Sequence, residues 1–496
     1  MINLTSFAGF HARTTPDHPA LIYQDRDISW AEFNDRVLAI ADLLQCRGIG
    51  KGDVVAVFMK NSPAFLEILF ATSHLGAIFL PVNYRLAGDE IGYILGNAEA
   101  VLLVVDEEFA GIADFPDQLV VDAAAQADIR TLARGERAGD PADCAGSDIF
   151  RLMYTSGTTD HPKGVPHTYD NFYWKCMDHT IVLGLSASSR LLVVGPLYHV
   201  GACDLPGIGV LRMGGTLCLH RDFDAVETLA SIERHQLNCG WMAPTMTNAV
   251  LNLPDADRYD VSSLKWLIGG GERTPEQRIR QFTDRFPNAR YIDGYGLTES
   301  VSGDTLMEAG REIEKIGSTG RPTPHVQVAI LDASGNHLPS GEEGEIALKG
   351  PKVVTGYWKA PEKTAEAFQH GWFRTGDVGL LDEDGFLFLT DRKKDMILSG
   401  GENIASSEVE RVIYDLPQVL EAAVIGLPDD KWGERPVAIV VLQPDTELSF
   451  DQLTTHCRAS LAGFKVPKEL RLVTELPRNP SGKVLKRALR EQFDDA

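Results

Sequence analysis

From about residue 50 to residue 293, short apolar runs alternate with segments of helical spacing. Residues 54–59, 78–82, 101–105, 190–194, 216–220, 239–243, 265–268 and 291–293 read as buried strands. Residues 62–74, 89–97, 225–236 and 275–286 read as helices. Strands that are apolar throughout must be covered on both faces. With helices between them, they predict an α/β fold of largely parallel sheets. Ligands in such folds sit at the carboxyl ends of the strands, often on glycine-rich loops. Here those loops are 155–164, 269–272 and 294–299.

After about Ser318 the texture changes. Turn signals become dense, as in Ala333-Ser334-Gly335-Asn336 and Asp382-Glu383-Asp384-Gly385, with short strands at 326–331, 345–349 and 386–389 between them. This predicts a small antiparallel, barrel-like subdomain. Beyond the charged run Asp391-Arg392-Lys393-Lys394-Asp395 comes a compact α+β unit, with helices at 406–415 and 450–461 and strands at 420–426, 436–442 and 470–474. A chain of 496 residues exceeds one core. The expected division is 1–391 for a large N-terminal domain and 392–496 for a small, mobile C-terminal one.

The net charge of -23 would repel nucleic acid and anionic lipid, which argues against a nucleic-acid partner and leaves peripheral membrane association open. Seven scattered cysteines show no metal-ligand spacing and read as reduced thiols of a cytoplasmic protein. The start, Met1-Ile2-Asn3-Leu4, does not read as a signal peptide. No apolar stretch reaches the ~18 residues that span a bilayer.

Two segments carry chemistry. Thr155–Gly164 offers the hydroxyls of Thr155, Ser156, Thr158 and Thr159, the glycines Gly157 and Gly164, and Lys163. Small residues let backbone N–H groups approach a phosphate, and hydroxyls and a lysine add donors. It is not a Walker A loop, because no Gly precedes Lys163 and no Ser or Thr follows it. Alone, it reads equally well as a polar surface turn. Near the other end, Lys483 sits in Arg478-Asn479-Pro480-Ser481-Gly482-Lys483, on a turn of the small terminal unit.

These segments resemble the signatures of the acyl-adenylate-forming superfamily, which contains acyl-CoA ligases, carrier-protein-loading adenylation domains and beetle luciferases. Tyr295-Gly296-Leu297-Thr298-Glu299-Ser300, Trp372–Asp377, Asp391–Asp395 and Gly400-Gly401-Glu402-Asn403 match in the family's order. The resemblance covers essentially the whole chain. Gly356-Tyr357-Trp358 and Asp430–Glu434 look most like fatty-acyl-CoA ligases. It implies an enzyme that joins a carboxylate to AMP from ATP, releasing pyrophosphate, and then passes the acyl group to coenzyme A. Magnesium is the implied metal.

The resemblance also implies roles. Lys483 resembles the lysine that bridges carboxylate and α-phosphate. Thr298 resembles a phosphate-binding threonine, and Glu299 the magnesium ligand. Thr155, Ser156, Gly157, Thr158, Thr159 and Lys163 form the phosphate loop. Gly269, Gly270, Gly271, Gly294 and Tyr295 look like the adenine slot, with Tyr295 stacking on the base, and Glu272, Asp293 and Gly296 are further expected cofactor contacts. Asp377 and Arg392 resemble the ribose contacts. After adenylation the family rotates its C-terminal domain. Lys394 occupies the hinge position, and Ser399–Asn403, with Gly401, would enter the pantetheine channel.

His199, in Pro196-Leu197-Tyr198-His199, resembles the histidine beside the acyl group. Gly201, Trp241, Met242, Thr245, Gly269, Gly270 and Val301 fall where the family lines its acyl pocket. No acidic residue stands like the one that grips an amino group in amino-acid adenylation domains; Asp204 is the nearest. An apolar, uncharged acid, a fatty or related acyl chain, is expected, with glycines at 269–271 leaving room and Trp241 taking it away. Two departures stand out. Asp160 replaces the family's usual Gly and could oppose ATP, reshape the loop or form a turn. Asp293 stands where a neutral residue is common. Three alternatives stay open: loading of a carrier-protein phosphopantetheine, an inactive adenylate-binding protein, and a luciferase-type oxygenase, which has no separate sequence support. A homodimer also stays open.

Overall fold

The computed structural model describes residues 3–122, 137–155, 162–270, 274–392, 395–399, 402–429, 432–478 and 484–493. Two mostly parallel sheets form its larger part. The nine-stranded sheet runs, edge to edge, Arg321–Pro322, Thr305–Leu306, Arg290–Tyr295, Trp266–Gly269, Cys239–Met242, Arg190–Val193, Thr216–Leu219, Pro19–Tyr23 and Arg26–Ser29. Its six strands from Arg290–Tyr295 to Pro19–Tyr23 are parallel. The six-stranded sheet runs Gln118–Val121, Ala100–Asp106, Val54–Phe58, Ile78–Pro81, Ile149–Thr155 and Lys163–Thr168. Only its last pair is antiparallel.

The two sheets share one core. Val55, Val57 and Phe79 of the smaller sheet cluster with Leu191, Val193, Leu217 and Trp241 of the larger. The helix Pro63–His74 supplies Phe65, Leu66, Ile68, Leu69 and Phe70 to this core and is buried at every position. Its start is legible in the sequence. Ser62 caps it by accepting from the Phe65 N–H, and Pro63 stands first, where no N–H is needed. The expected alternation is therefore observed, with ends moved by one or two residues. Expected helix 275–286, for example, is Glu276–Arg285, because Pro275 acts as its cap.

The antiparallel subdomain follows as five strands. Gln327–Leu331, Gly344–Lys349, Trp372–Leu381 and Phe368–Gln369 form a path, and Leu387–Arg392 pairs with Trp372–Leu381. The pairing sets Asp377 opposite Arg392. The last part of the chain has its own sheet of Glu402–Ile404, Ile397–Ser399, Gly433–Leu442, Val419–Asp429 and Glu469–Leu472. Two hydrophobic clusters there contain only residues from Ile397 onward. An ion pair between Arg411 and Glu276, 3.2 Å apart, links this part to the helix Glu276–Arg285.

Candidate active site

The strand Ile149–Thr155 turns back as Lys163–Thr168, with Thr155 opposite Lys163. Thr155 and Lys163 are thus the two strand ends that flank the expected phosphate loop. The loop residues Ser156, Gly157, Thr158, Thr159 and Asp160 lie outside the described residues, as do Gly271, Glu272, Lys394, Gly401 and Lys483. The Lys163 ammonium stands 4.9 Å above the Tyr357 ring, a cation–π distance. The Tyr357 hydroxyl donates to the Glu299 carboxylate at 2.8 Å. Burial pushes the Glu299 carboxyl up, while Tyr357 and Lys163 pull it down. A half-buried carboxylate in this state favours a cation beside it.

Among the described residues no cluster of three or more His, Cys, Asp or Glu could hold a metal. A single carboxylate does fit magnesium, which takes its other ligands from phosphate oxygens and water. Thr298 opens the short helical turn Thr298–Ser300, straight after the strand Arg290–Tyr295 and Gly296-Leu297. Close backbone approach explains Gly296: a Cβ there would come within 2.2 Å of the Gly303 nitrogen.

Tyr295 is buried to 7 % exposure within the core of the antiparallel subdomain, beside Phe373 and Ile346. Its hydroxyl donates to the Asp377 carboxylate at 2.8 Å. Burial, and then the Asp377 charge, push the phenol well above its ordinary range, so it stays a donor. What the structure shows for Tyr295 is this anchoring of Asp377 by its hydroxyl; stacking on a base remains the expectation for its ring. Asp377 and Arg392 are cross-strand neighbours, and only the backbone of Arg392 is described. Thr155, Lys163, Thr298, Glu299, Tyr295, Asp377 and the Arg392 backbone thus come from five strands and one turn. Asp293 is buried at 3 % exposure, opposite Gly269, and accepts from the Gly294 N–H at 3.1 Å.

The acyl-pocket residues divide. Strand alternation sends Trp241 into the core between the sheets and Met242 to the opposite core, against Leu192 and Leu267. Met242 thus belongs to a different hydrophobic cluster from Trp241, and Thr245 is exposed on the helix Pro244–Leu251. The Trp241 indole lies against Gly195 and Gly201, where a Cβ would stand 2.4 and 2.5 Å from the ring. Its Nε1 is 3.9 Å from a Cβ position on Gly270. The His199 ring is 6.4 Å from it, centre to centre, and Nδ1 of His199 accepts from the Gly201 N–H. The room expected at Gly269 is filled by Tyr291, whose hydroxyl would be 1.8 Å from a Cβ there.

Sequence reasoning missed a buried polar cluster behind these residues. Asp204 does not offer a free carboxylate to an amino substrate. It binds Arg151 at 2.6 Å and Lys175 at 3.2 Å, and all three are buried. Lys352 pairs with Asp304 at 3.1 Å, both at zero exposure. His167 and His179 are buried among them. Burial, and then Arg151, push His167 down to about 3. Burial, and then Lys175, push His179 well below its ordinary value.

Both histidines are neutral when folded, whereas the unfolded chain protonates them below about pH 6.5. Their contribution is fully present above that pH and is lost as pH falls, toward about 3 for His167. The expected slope is roughly 1 kcal/mol per pH unit for each histidine. Denaturant unfolding at neutral and mildly acidic pH checks it. His167→Gln should flatten the dependence, and an unchanged slope would mean that His167 already binds a proton in the folded protein.

The comparisons with known proteins follow the same outline. Residues 10–358 match the family model described as AMP-binding enzyme, and residues 408–483 match the AMP-binding enzyme C-terminal domain. A feruloyl-CoA synthase of Amycolatopsis sp is 38% identical over 486 residues, 97% of each chain. A long-chain-fatty-acid–CoA ligase of Mycobacterium tuberculosis, FadD13, is 36% identical over 491 residues, also 97% of each. The solved structure of an o-succinylbenzoate coenzyme A synthetase from Bacillus subtilis, in complex with ATP and magnesium ion, superposes with a TM-score of 0.85 at 30% identity, covering 99% of both chains. The family match spans most of the chain, and the chain belongs to the AMP-binding enzyme family, the acyl-adenylate-forming enzymes.

Proposed function

We propose that this enzyme activates a compact, apolar, uncharged carboxylic acid of about the size of a substituted ring. The broader activity is that of an AMP-forming acyl-CoA ligase using ATP, Mg2+ and coenzyme A. A carboxylate oxygen attacks the α-phosphorus, and the bond to pyrophosphate breaks. The CoA thiolate then attacks the acyl carbon, and AMP leaves. Negative charge gathers on the phosphate in the first step and needs fixed donors and cations there in advance. Lys163, Thr298 and Lys483 are the proposed donors, and magnesium at Glu299 would neutralise phosphate charge. Asp377 and Arg392 would hold the ribose.

The observation that carries the substrate reading is Trp241. Its indole lies against Gly195 and Gly201 beside His199, and in this reading it would shorten the room open to a long chain. Asp204, held by Arg151 and Lys175, is not open to a substrate ammonium, which supports an uncharged acid. AMP release across a panel of ring-containing and straight-chain acids, with ATP, magnesium and CoA, tests this. A preference for long straight chains would sink it. Replacing CoA by a phosphopantetheine carrier protein in the same assay tests the acceptor.

Trp241→Ala should move the preference toward larger acids. Losing the indole frees roughly 150–250 Å² of contact surface. The ratio of kcat/KM for a long acid over a ring-sized one should rise about 10- to 100-fold. An unchanged rank order would make Trp241 an ordinary core residue.

The division into 1–391 and 392–496, with Lys394 as hinge, belongs to the same proposal. It is supported by the separate cores of the last hundred residues. The Lys483 turn would serve adenylation and the 399–403 turn would serve thioester formation, at different times. Among the described residues no helix is long and apolar enough to cross a membrane. Seven unpaired cysteines, six of them buried, fit a reducing compartment such as the cytoplasm.

A further inference from the structure

A line of buried polar side chains runs from the acyl side of the site to the back of the phosphate turn. It begins at Asp204, five residues beyond His199 in the chain. The Asp204 carboxylate accepts from Arg151 Nη2 at 2.6 Å and from Lys175 Nζ at 3.2 Å. Arg151 also points Nε and Nη2 at His167 Nδ1, at 3.2 and 2.9 Å. A guanidinium can only donate, so Nδ1 is an acceptor and the imidazole proton resides on Nε2. That Nε2–H donates to the Thr298 carbonyl at 2.7 Å. Arg151 is 1% exposed, and Lys175, His167 and Asp204 are at 0%.

The turn it reaches is under backbone strain. Val301 and Ser302 have φ of 57° and 71°, and a β-branched residue is rarely found there. Such a conformation persists only where its surroundings over-determine it. Here they do. The Thr298 carbonyl is held by His167, and the Glu299 carbonyl by the Val354 N–H at 2.8 Å. The Ser302 and Gly303 carbonyls accept from Lys352 at 3.0 and 2.6 Å, and Ser300 donates to Asp304. Buried ion pairs are not needed for stability at such a place, since well-packed apolar side chains often serve as well or better. What an apolar side chain cannot do is donate a directed hydrogen bond to one carbonyl.

We infer that His167 is a positioning residue for adenylation: locked by Arg151 as the Nε2–H tautomer, it fixes the Thr298 carbonyl and so the aim of Thr298 and Glu299. This rests on the proposal that Thr298 and Glu299 face the phosphates and their magnesium. The donor pattern is constant across working pH, because burial and Arg151 keep the imidazole neutral down to about 3. His167 acts through Thr298 and touches no reacting atom.

The test uses the full-length enzyme, ATP, magnesium and the best acid from the panel. Two half-reactions are measured: ATP–pyrophosphate exchange, and CoA thioester formation from supplied acyl-adenylate. His167→Leu should lower kcat/KM for ATP in the exchange by about 10- to 100-fold, as loss of an outer partner to a metal or phosphate ligand does. Thioester formation should change less than about 3-fold, because the pyrophosphate-forming geometry is no longer used. His167→Gln should recover most of the exchange, since its amide can accept from Arg151 and donate to Thr298. Equal losses in both half-reactions, or a folded Gln variant as poor as the Leu variant, would overturn the inference. Thr298→Val separates it from the reading beneath it. Normal exchange in that variant removes the reading of the turn and the inference with it. A large loss there with His167→Leu silent removes the inference alone.

Discussion

Asp204→Ala is expected to destabilise the protein by about 3–5 kcal/mol, the usual cost of removing one partner from a buried ion pair. The carboxylate lies between Arg151 and Lys175 with no exposure to water. Burial raises its pKa, but the two cations outweigh that and hold it near 2. Without it, two buried cations face each other with no carboxylate between them; among the described residues Arg151 keeps its contacts to His167 Nδ1 and, from Nη1, to the Cys203 sulfur. Asp204→Asn should fall between the two, because it keeps the volume and one acceptor but not the charge. Denaturant unfolding of the three proteins at neutral pH reads the effect. A loss of under about 1 kcal/mol for the alanine variant would mean that water or an ion replaces the carboxylate. The cluster would then be less tightly packed than its burial implies.

Lys483→Ala should give the largest loss of activity. The lysine itself lies outside the described residues, and its motif carries the expectation. Deleting one preorganised donor to developing charge costs roughly 10²–10³ in rate. The loss should fall on adenylation, measured as ATP–pyrophosphate exchange. Thioester formation from supplied adenylate should survive, because the C-terminal domain would have carried Lys483 away by then. If both half-reactions fell together in a folded variant, the proposal that one domain serves two steps in two positions would fail.

Much of the architecture was readable without coordinates, for a physical reason. A parallel strand covered on both faces must be apolar along its length, so 54–59, 190–194 and 239–243 announced themselves. Ser62-Pro63 marked a helix start through capping alone. The order of the motifs identified the family, because Thr298-Glu299, Asp377 and the Lys483 turn are local signatures that need no partner to be recognised. The barrel-like segment was legible from its turns, and its pairing then placed Asp377 beside Arg392. Period-two alternation could also have separated Trp241 from Met242, since neighbours on a strand face opposite ways.

The buried cluster could not be read this way. Arg151, His167, Lys175 and Asp204 are scattered over 53 positions. Lysine, arginine and aspartate are almost never fully buried unless paired, so each looks like a surface residue until its partner is known. Pairing across such separations depends on how the hairpin Ile149–Thr155 and Lys163–Thr168, the helix Tyr169–Leu183 and the Cys203–Gly207 segment pack together. The same holds for Gly269, whose apparent vacancy is taken by Tyr291 from the next strand. The chain by itself determined the layers, the order of the motifs and the class of chemistry, because these are written in local pattern. Only the tertiary structure decided which charges neutralise one another, which carbonyls of the turn Thr298–Ser300 are held, and which side chain fills the space at Gly269. Those depend on distances between residues that the sequence keeps apart.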